Sequence, residues 1–209
     1  MKNTKPFVIT ISRQLGSGGA CIGQKLAEEL NIFYADREII HKAAKQFSVL
    51  EADLESRDEK VLSFWQSMFA VNSFAPEVFI PSKIMVPTDR ELFNAEAAVI
   101  KHIAKERSSV IIGRCSFEVL REFPDHVSLF LYSDNEFRIN RIHNQYNVTK
   151  EEAERMIAQS DKDRASYCKQ FTGKEWTDAR NYDISIDTSK MGIVRTVDII
   201  MNYMKAAFA

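Results

Sequence analysis

The residues best equipped for chemistry stand together near the start of the chain, in Ser12-Arg-Gln-Leu-Gly-Ser-Gly-Gly19, where three glycines fall in four positions. A β-branched run, Phe7 to Ser12, leads into them, and Ile22, Leu26, Ala27 and Leu30 follow at helical spacing. Glycines between a buried strand and a helix let successive backbone N–H groups converge on an anion, and the helix adds the positive end of its dipole. Leu15, Gly16, Ser17, Gly18, Gly19, Ala20 and Cys21 are therefore the expected phosphate cradle. The alternative is a tight strand-to-helix turn with no ligand, a role that rarely needs so many glycines.

Phosphate oxygens call for cationic partners, and guanidinium meets them well. Arg13 comes just after the first strand and Arg114 just after Gly113, at the end of another apolar run. Arg138 and Arg141 lie about one turn apart on a predicted helix and so share a face. Each has a structural reading beside the functional one, as a salt-bridge partner or part of a solvated basic face. Asp36 is either a helix N-cap or a contact to the acceptor or to magnesium. Asp161, Asp163 and Arg164 form a charge run on a long helix, a pattern that ordinarily marks a solvated surface.

The elements that must position these groups alternate. Strands are predicted over Phe7–Ser12, Ile32–Ala35, Ser109–Ile112, Val127–Tyr132 and Asp183–Ile186. Helices are predicted between and after them, including Asn135–Tyr146, one opened by the capping box Thr149-Lys-Glu-Glu152, and one from about Ile193 to Met204. That alternation implies one α/β domain over residues 1–209, with a mainly parallel five-stranded sheet covered on both faces. Ligands of such sheets gather at the carboxyl ends of the strands, where the glycine turn and Arg114 both fall. The stretch of about 51–92 reads as a variable helical insertion. Its proline-interrupted, aromatic 64–86 portion suits a lid, a substrate-side insertion or a homo-oligomer contact.

Bulk properties narrow the function. Of 209 residues, 28 are basic and 29 acidic, so the net charge of −1 speaks against a general nucleic-acid or anionic-membrane binder. No run is long enough to span a membrane. Cys21, Cys115 and Cys168 lack metal or disulfide spacing and read as free thiols of a cytoplasmic protein. His41, His102, His126 and His143 are scattered and take no catalytic role, and no metal-ligating cluster is evident.

Val8-Ile-Thr-Ile-Ser-Arg13, Gly16-Ser-Gly-Gly19 and Tyr34-Ala-Asp-Arg-Glu38 resemble the cytidylate-kinase-like family, a divergent branch of the P-loop nucleoside monophosphate kinases. Val110-Ile-Ile-Gly-Arg-Cys115, Phe130-Leu-Tyr132 with Arg138 and Arg141, and Asp187-Thr188-Ser189 extend the match in order. The resemblance implies a P-loop fold with a lid-side helical region over about 143–181, and ATP with Mg2+ at the glycine turn. It implies phosphoryl transfer to CMP or dCMP, with Arg13, Arg114, Arg138 and Arg141 as the catalytic cations. Asp36, Arg114, Asp161 and Arg164 would face the small-molecule acceptor. The chain departs from the full GxxxxGK[ST] pattern, for it contains no GK[ST]. Laid against the family, Gly19 stands where the loop lysine would be, Cys21 at the hydroxyl and Ile112 at the acidic end of the third strand. Magnesium would then be held mainly through phosphates and water. A second expectation stands beside the enzyme: a nucleotide-binding or regulatory protein that kept the fold and lost catalysis.

Overall fold

Five parallel strands form a single sheet in the order β2-β3-β1-β4-β5. The computed structural model describes residues 5–52 and 90–208. Its strands are β1 (Val8–Arg13), β2 (Phe33–Ala35), β3 (Ser109–Ile112), β4 (His126–Tyr132) and β5 (Ile184–Asp187). The helices are α1 (Gly19–Leu30), α2 (Arg37–Ala52), α3 (Arg90–Glu106), α4 (Ser116–Val119), α5 (Asn135–Tyr146), α6 (Lys150–Thr172) and α7 (Thr188–Ala207).

The strands read as continuous apolar runs because both faces of the sheet are covered. Ile9 and Ile11 point to one side, with Val110, Ile112, Leu129 and Leu131, and meet Ile22 and Leu26 of α1 and Val197 and Ile200 of α7. Val8 and Ile111 point to the other, where Ile40 of α2 and Val99, Ile100 and Ile103 of α3 close over them. β1 is central: the chain first builds β2 and β3 on one side of it and then crosses over to build β4 and β5 on the other. Its carboxyl end is thus the switch point of the sheet, the place where such folds bind ligands.

Local signals set the ends of the elements. Asn31 stops α1 in the left-handed region at φ 52. Thr149 caps α6 by accepting from the Glu152 N–H at 3.2 Å. Two expected boundaries are corrected. Arg13 is the last residue of β1, paired in register with Leu131, rather than a residue beyond it. The last helix starts at Thr188, not near Ile193, because Asp187 accepts from the Ser189 N–H at 3.0 Å and caps an extra turn. That turn is separated from the rest by Gly192, at φ 70 and ψ 172. The expected 64–86 contact segment lies outside the described residues. No described helix is long and apolar enough to cross a membrane.

Candidate active site

The glycine turn is built by ties from three neighbouring elements. Gln14 N–H donates to the Leu131 carbonyl at 2.9 Å, so the chain leaves β1 alongside β4. The Ser17 hydroxyl donates back to the Gln14 carbonyl at 2.9 Å, closing the loop on itself. Thr188, at the head of α7, donates to the Ser17 carbonyl at 2.7 Å, and Ser133 after β4 bonds Thr188 at 2.6 Å. Gly16 and Gly18 take φ 85 and φ 80, which a side chain would resist. Helix α1 then starts with no side-chain cap and no acid in its first turn. Its first N–H groups lack intrahelical partners, which suits an anion.

Gly19 is required by Arg13. A Cβ at Gly19 would lie 2.6 Å from the Arg13 Cβ and 2.7 Å from its Cγ. The Arg13 stem thus occupies the space through which a side chain at position 19 would leave. Its guanidinium runs on toward β3, and Nη1 would be 2.5 Å from a Cβ at Gly113. Arg13 therefore bridges the glycine turn and the end of β3. Lys25 is exposed on α1 and does not approach.

Arg138 is buried and its donors are engaged. Nε donates to the Leu15 carbonyl at 2.7 Å, and Nη2 meets the Asp161 carboxylate at 2.6 Å. Its backbone carbonyl would lie 3.0 Å from a Cβ at Gly16. Arg164 donates through Nη1 to the Arg13 carbonyl at 2.5 Å. Arg138, Asp161 and Arg164 thus fasten α5 and α6 to the turn; the solvated-face reading of the charge run fails for two of its members. Asp163 instead accepts from Gln159 on the exposed face at 2.8 Å. Arg141 differs from Arg138. Its guanidinium carbon would be 3.6 Å from a Cβ at Gly18, directly over the turn. It has no ion pair or hydrogen bond among the described residues. Asp36 serves as the cap of α2, accepting from the Ile39 N–H at 3.0 Å.

The end of β3 is strained. Gly113, Arg114 and Cys115 stand at φ 77, 53 and 52 in succession, and two of them carry side chains. Such backbone persists where the surroundings enforce it, often at functional sites. Here the twist turns Arg114 inward. Its guanidinium lies 5.2 Å from the Tyr167 ring centroid, and Nη2 meets Glu96 Oε1 at 2.9 Å. Glu96 is only 1% exposed and is shared: Tyr167 donates its hydroxyl to Oε2 at 2.9 Å, and His41 Nδ1 lies 3.0 Å from Oε1. Burial, with Glu96 beside it, pushes the Tyr167 pKa up. Arg37, the first residue of α2, is held down to about 10, by burial first and then by the charges of Arg114 and Arg13.

Sequence reasoning missed Glu96, Arg37, Tyr167 and His41 as parts of the site. A signal existed for Glu96. It falls on the apolar stripe of α3, one turn before Val99 and Ile100, and a carboxylate there needs buried partners. Cys115 and Cys168 are buried free thiols in an aromatic cluster with Phe130, Trp176 and Tyr182. A hydrogen bond to Cys168, together with burial, pushes the Cys115 thiol up. Trp176 packs at 5.4 Å edge-on to Phe130, as a core residue.

The model of the cytidylate kinase-like family matches residues 8–190, from the first residue of β1 to the first turn of α7. The chain belongs to the cytidylate kinase-like family. Its fold is similar to that of an uncharacterized protein from Eubacterium ventriosum ATCC 27560, at TM-score 0.72 and 25% identity over 95% of this chain and 98% of that one. Shikimate kinase from Bacteroides thetaiotaomicron aligns at TM-score 0.52 and 13% identity, over 95% and 98% of the two chains. Shikimate kinase from Acinetobacter baumannii, solved with shikimate, gives 0.52 and 14%, over 97% and 94%. No curated protein sequence matches the chain. The expected P-loop kinase fold, with its parallel five-stranded sheet, is the one this family member has.

The turn supplies backbone N–H groups, and Arg141 adds a cation beside them. Among the described residues, no three His, Cys, Asp or Glu side chains converge to hold a metal ion.

Proposed function

We propose that this chain is an ATP-dependent kinase that phosphorylates a nucleoside monophosphate, with CMP or dCMP as the acceptor the family suggests. The observation that carries the reading is the pairing of two sites across Arg13. On one side lies the glycine turn with Arg141 over Gly18; on the other lies Arg114 at the end of β3. When bound at the turn backbone beside Arg141, ATP would supply the phosphoryl group and magnesium would neutralise its charge, held mainly through the phosphates and water.

The first-turn N–H groups of α1 and the turn backbone bind the donor phosphates. Arg141 neutralises charge there, which matters because phosphoryl transfer depends on positioning and electrostatics more than on covalent help. Arg114, locked by Glu96 and Tyr167, presents a fixed guanidinium face to the acceptor. Arg138 and Arg164 act through the turn and are positioning residues. The test is turnover of ATP and magnesium with a panel of nucleoside monophosphates. Turnover should exceed that of Arg114→Ala at least 100-fold; equal rates would sink the reading.

A second reading has its own support. The Arg13 stem fills the exit from position 19, and Cys21 is a poor substitute for a magnesium-binding hydroxyl. These features suit a regulatory protein that binds nucleotide without turnover. Calorimetric binding of an ATP analogue with no phosphoryl transfer to any acceptor would establish it.

A further inference from the structure

Cys115 and Cys168 lie far apart in the sequence, and each directly follows a residue of the site. Arg114-Cys115 ends the strained corner after β3, and Tyr167-Cys168 lies in the last turns of α6. The Arg114 guanidinium stands over the Tyr167 ring at 5.2 Å, and the two cysteines repeat that meeting one residue on. Their thiols share a hydrogen bond inside the aromatic cluster of Phe117, Phe130, Trp176 and Tyr182. The strand end and the long helix thus meet twice, once through a cation and a ring and once through two sulfurs. Among the described residues no group of three metal-ligating side chains forms around them. The hydrogen bond from Cys115 holds the Cys168 pKa down to about 7, against burial, and Thr172 Oγ1 lies 3.4 Å from its sulfur. A thiolate beside a second thiol is the arrangement that closes to a disulfide. Neither sulfur takes part in the phosphoryl transfer proposed above.

We propose that Cys115 and Cys168 are a reversible redox site, a dithiol that a hydroperoxide closes to a disulfide joining the end of β3 to α6. The Cys168 thiolate attacks one oxygen of hydrogen peroxide, the O–O bond breaks, and hydroxide leaves and is protonated to water. Cys168 is then a sulfenic acid. The Cys115 thiol gives up its proton, and its sulfur displaces the hydroxyl from Cys168 as a second water. Two electrons pass from the sulfurs to the peroxide. A small dithiol reverses the step by exchange and is itself closed to a disulfide. Both sulfurs are buried, Cys168 fully and Cys115 at 6% exposure, so a small neutral peroxide is the class of oxidant that fits. It enters at the Gly113–Cys115 corner, where three successive left-handed residues hold strain that local opening releases. A disulfide holds its sulfurs about 2.05 Å apart, closer than any thiol–thiol contact, so closure draws the strand end against the helix. The same helix carries Asp161 and Arg164, which fasten the glycine turn through Arg138 and the Arg13 carbonyl. Oxidation therefore shifts Arg114 at one end of the site and stiffens the helix behind the other. Loss of turnover on oxidation rests on the kinase reading above; the bond itself does not.

The experiment treats the full, reduced chain with hydrogen peroxide and maps its cysteines by mass spectrometry of peptides digested without reductant. A bond joining the Cys115 and Cys168 peptides should form, and dithiothreitol should reverse it. Amide hydrogen exchange over residues 161–172 should slow about tenfold in the oxidised chain, because the cross-link suppresses local opening of the helix. Turnover of ATP with CMP should fall at least about tenfold and return with dithiothreitol, since small displacements of positioning groups cost more than that. Cys168→Ala should lose this response to peroxide, and Cys115→Ser should lose it too, so that a folding defect in one variant does not decide the test. Treatment that leaves both thiols reduced, or that carries either one to sulfinic acid, overturns the redox site. Exchange over 161–172 that is unchanged or faster once the bond has formed overturns the locking of α6. Inhibition by peroxide that persists in Cys168→Ala belongs to Cys21 and overturns control by the pair. A mapped, reversible bond with slowed exchange, in a chain without turnover, would keep the redox site and retire the kinase.

Discussion

Removing the Glu96 carboxylate should be among the costliest single changes available to this protein. In Glu96→Ala the Arg114 guanidinium, on a side chain 5% exposed, loses the one carboxylate it meets among the described residues, and the Tyr167 hydroxyl loses its acceptor. Breaking a buried pair by removing one partner typically costs about 3–5 kcal/mol, because the remaining charge stays desolvated. The orphaned hydroxyl taken alone would add about 1–3 kcal/mol, but the two terms share one cavity and do not sum. A loss of roughly 4 kcal/mol is expected, a large part of the ~5–15 kcal/mol that holds an ordinary domain together. Urea unfolding followed by far-UV circular dichroism measures it. Tyr167→Phe, which leaves the Arg114–Glu96 pair intact, should cost only about 1 kcal/mol. The apolar pair Glu96→Leu with Arg114→Met should regain most of the stability lost in Glu96→Ala, since it removes both charges together. A Glu96→Ala loss below about 1 kcal/mol, or a double variant as unstable as the single, would refute the account of Glu96 as a buried counter-ion.

Three further changes probe the turn and the sheet. Gly19→Ala should destabilise by about 1–3 kcal/mol through overpacking against the Arg13 Cβ and Cγ, and Arg13→Gly, which removes both atoms, should relieve most of that penalty in a double-mutant cycle; additive effects would contradict the contact. Arg138→Met should lower the melting temperature and weaken ATP-analogue binding together, because the bolt on the Leu15 carbonyl and Asp161 is lost; a change in turnover alone, at unchanged stability, would argue for direct contact with phosphate. His126, which bonds the Thr10 hydroxyl through Nε2 at 2.7 Å, has its pKa lowered by burial against the opposing pull of Asp183. The unfolded chain therefore takes up a proton near the ordinary histidine value of 6.5 that the folded chain resists. Stability is full above that pH and falls as pH drops below it, with His102 acting in the same direction. Urea midpoints compared at about pH 7.5 and 5.5 should show the fall, and His126→Gln should flatten it.

Much of the fold was legible because its signals are local. β-branched runs between helical periods give the strands, and Thr149, Asn31 and the Gly16–Gly19 cluster mark element ends. The turn is legible from three glycines in four positions between a β-branched run and a helical period. What the sequence concealed were relations across the sheet. Gly19 looked like a lost lysine, and only the path of Arg13 shows that a side chain there would collide. Arg138 and Arg141 looked equivalent on one helix face, but Arg138 points into the turn carbonyl and Arg141 over Gly18. Helical spacing places two residues on a face without saying which neighbour each one meets.

Arg37 and Glu96 carry that point to function. Each breaks a local rule: a cation at a helix start and a carboxylate on an apolar stripe. Taken singly in the sequence, such violations look like noise. In the fold they come together around Arg114, where three successive left-handed residues have turned the chain inward. A sequence that breaks its own rules at several distant positions, all meeting at one end of one sheet, is spending stability for something other than folding. The glycine turn explains where a donor phosphate would rest. Beyond it, Arg13, Arg37 and Arg114 gather positive charge beside a strand end whose backbone is strained.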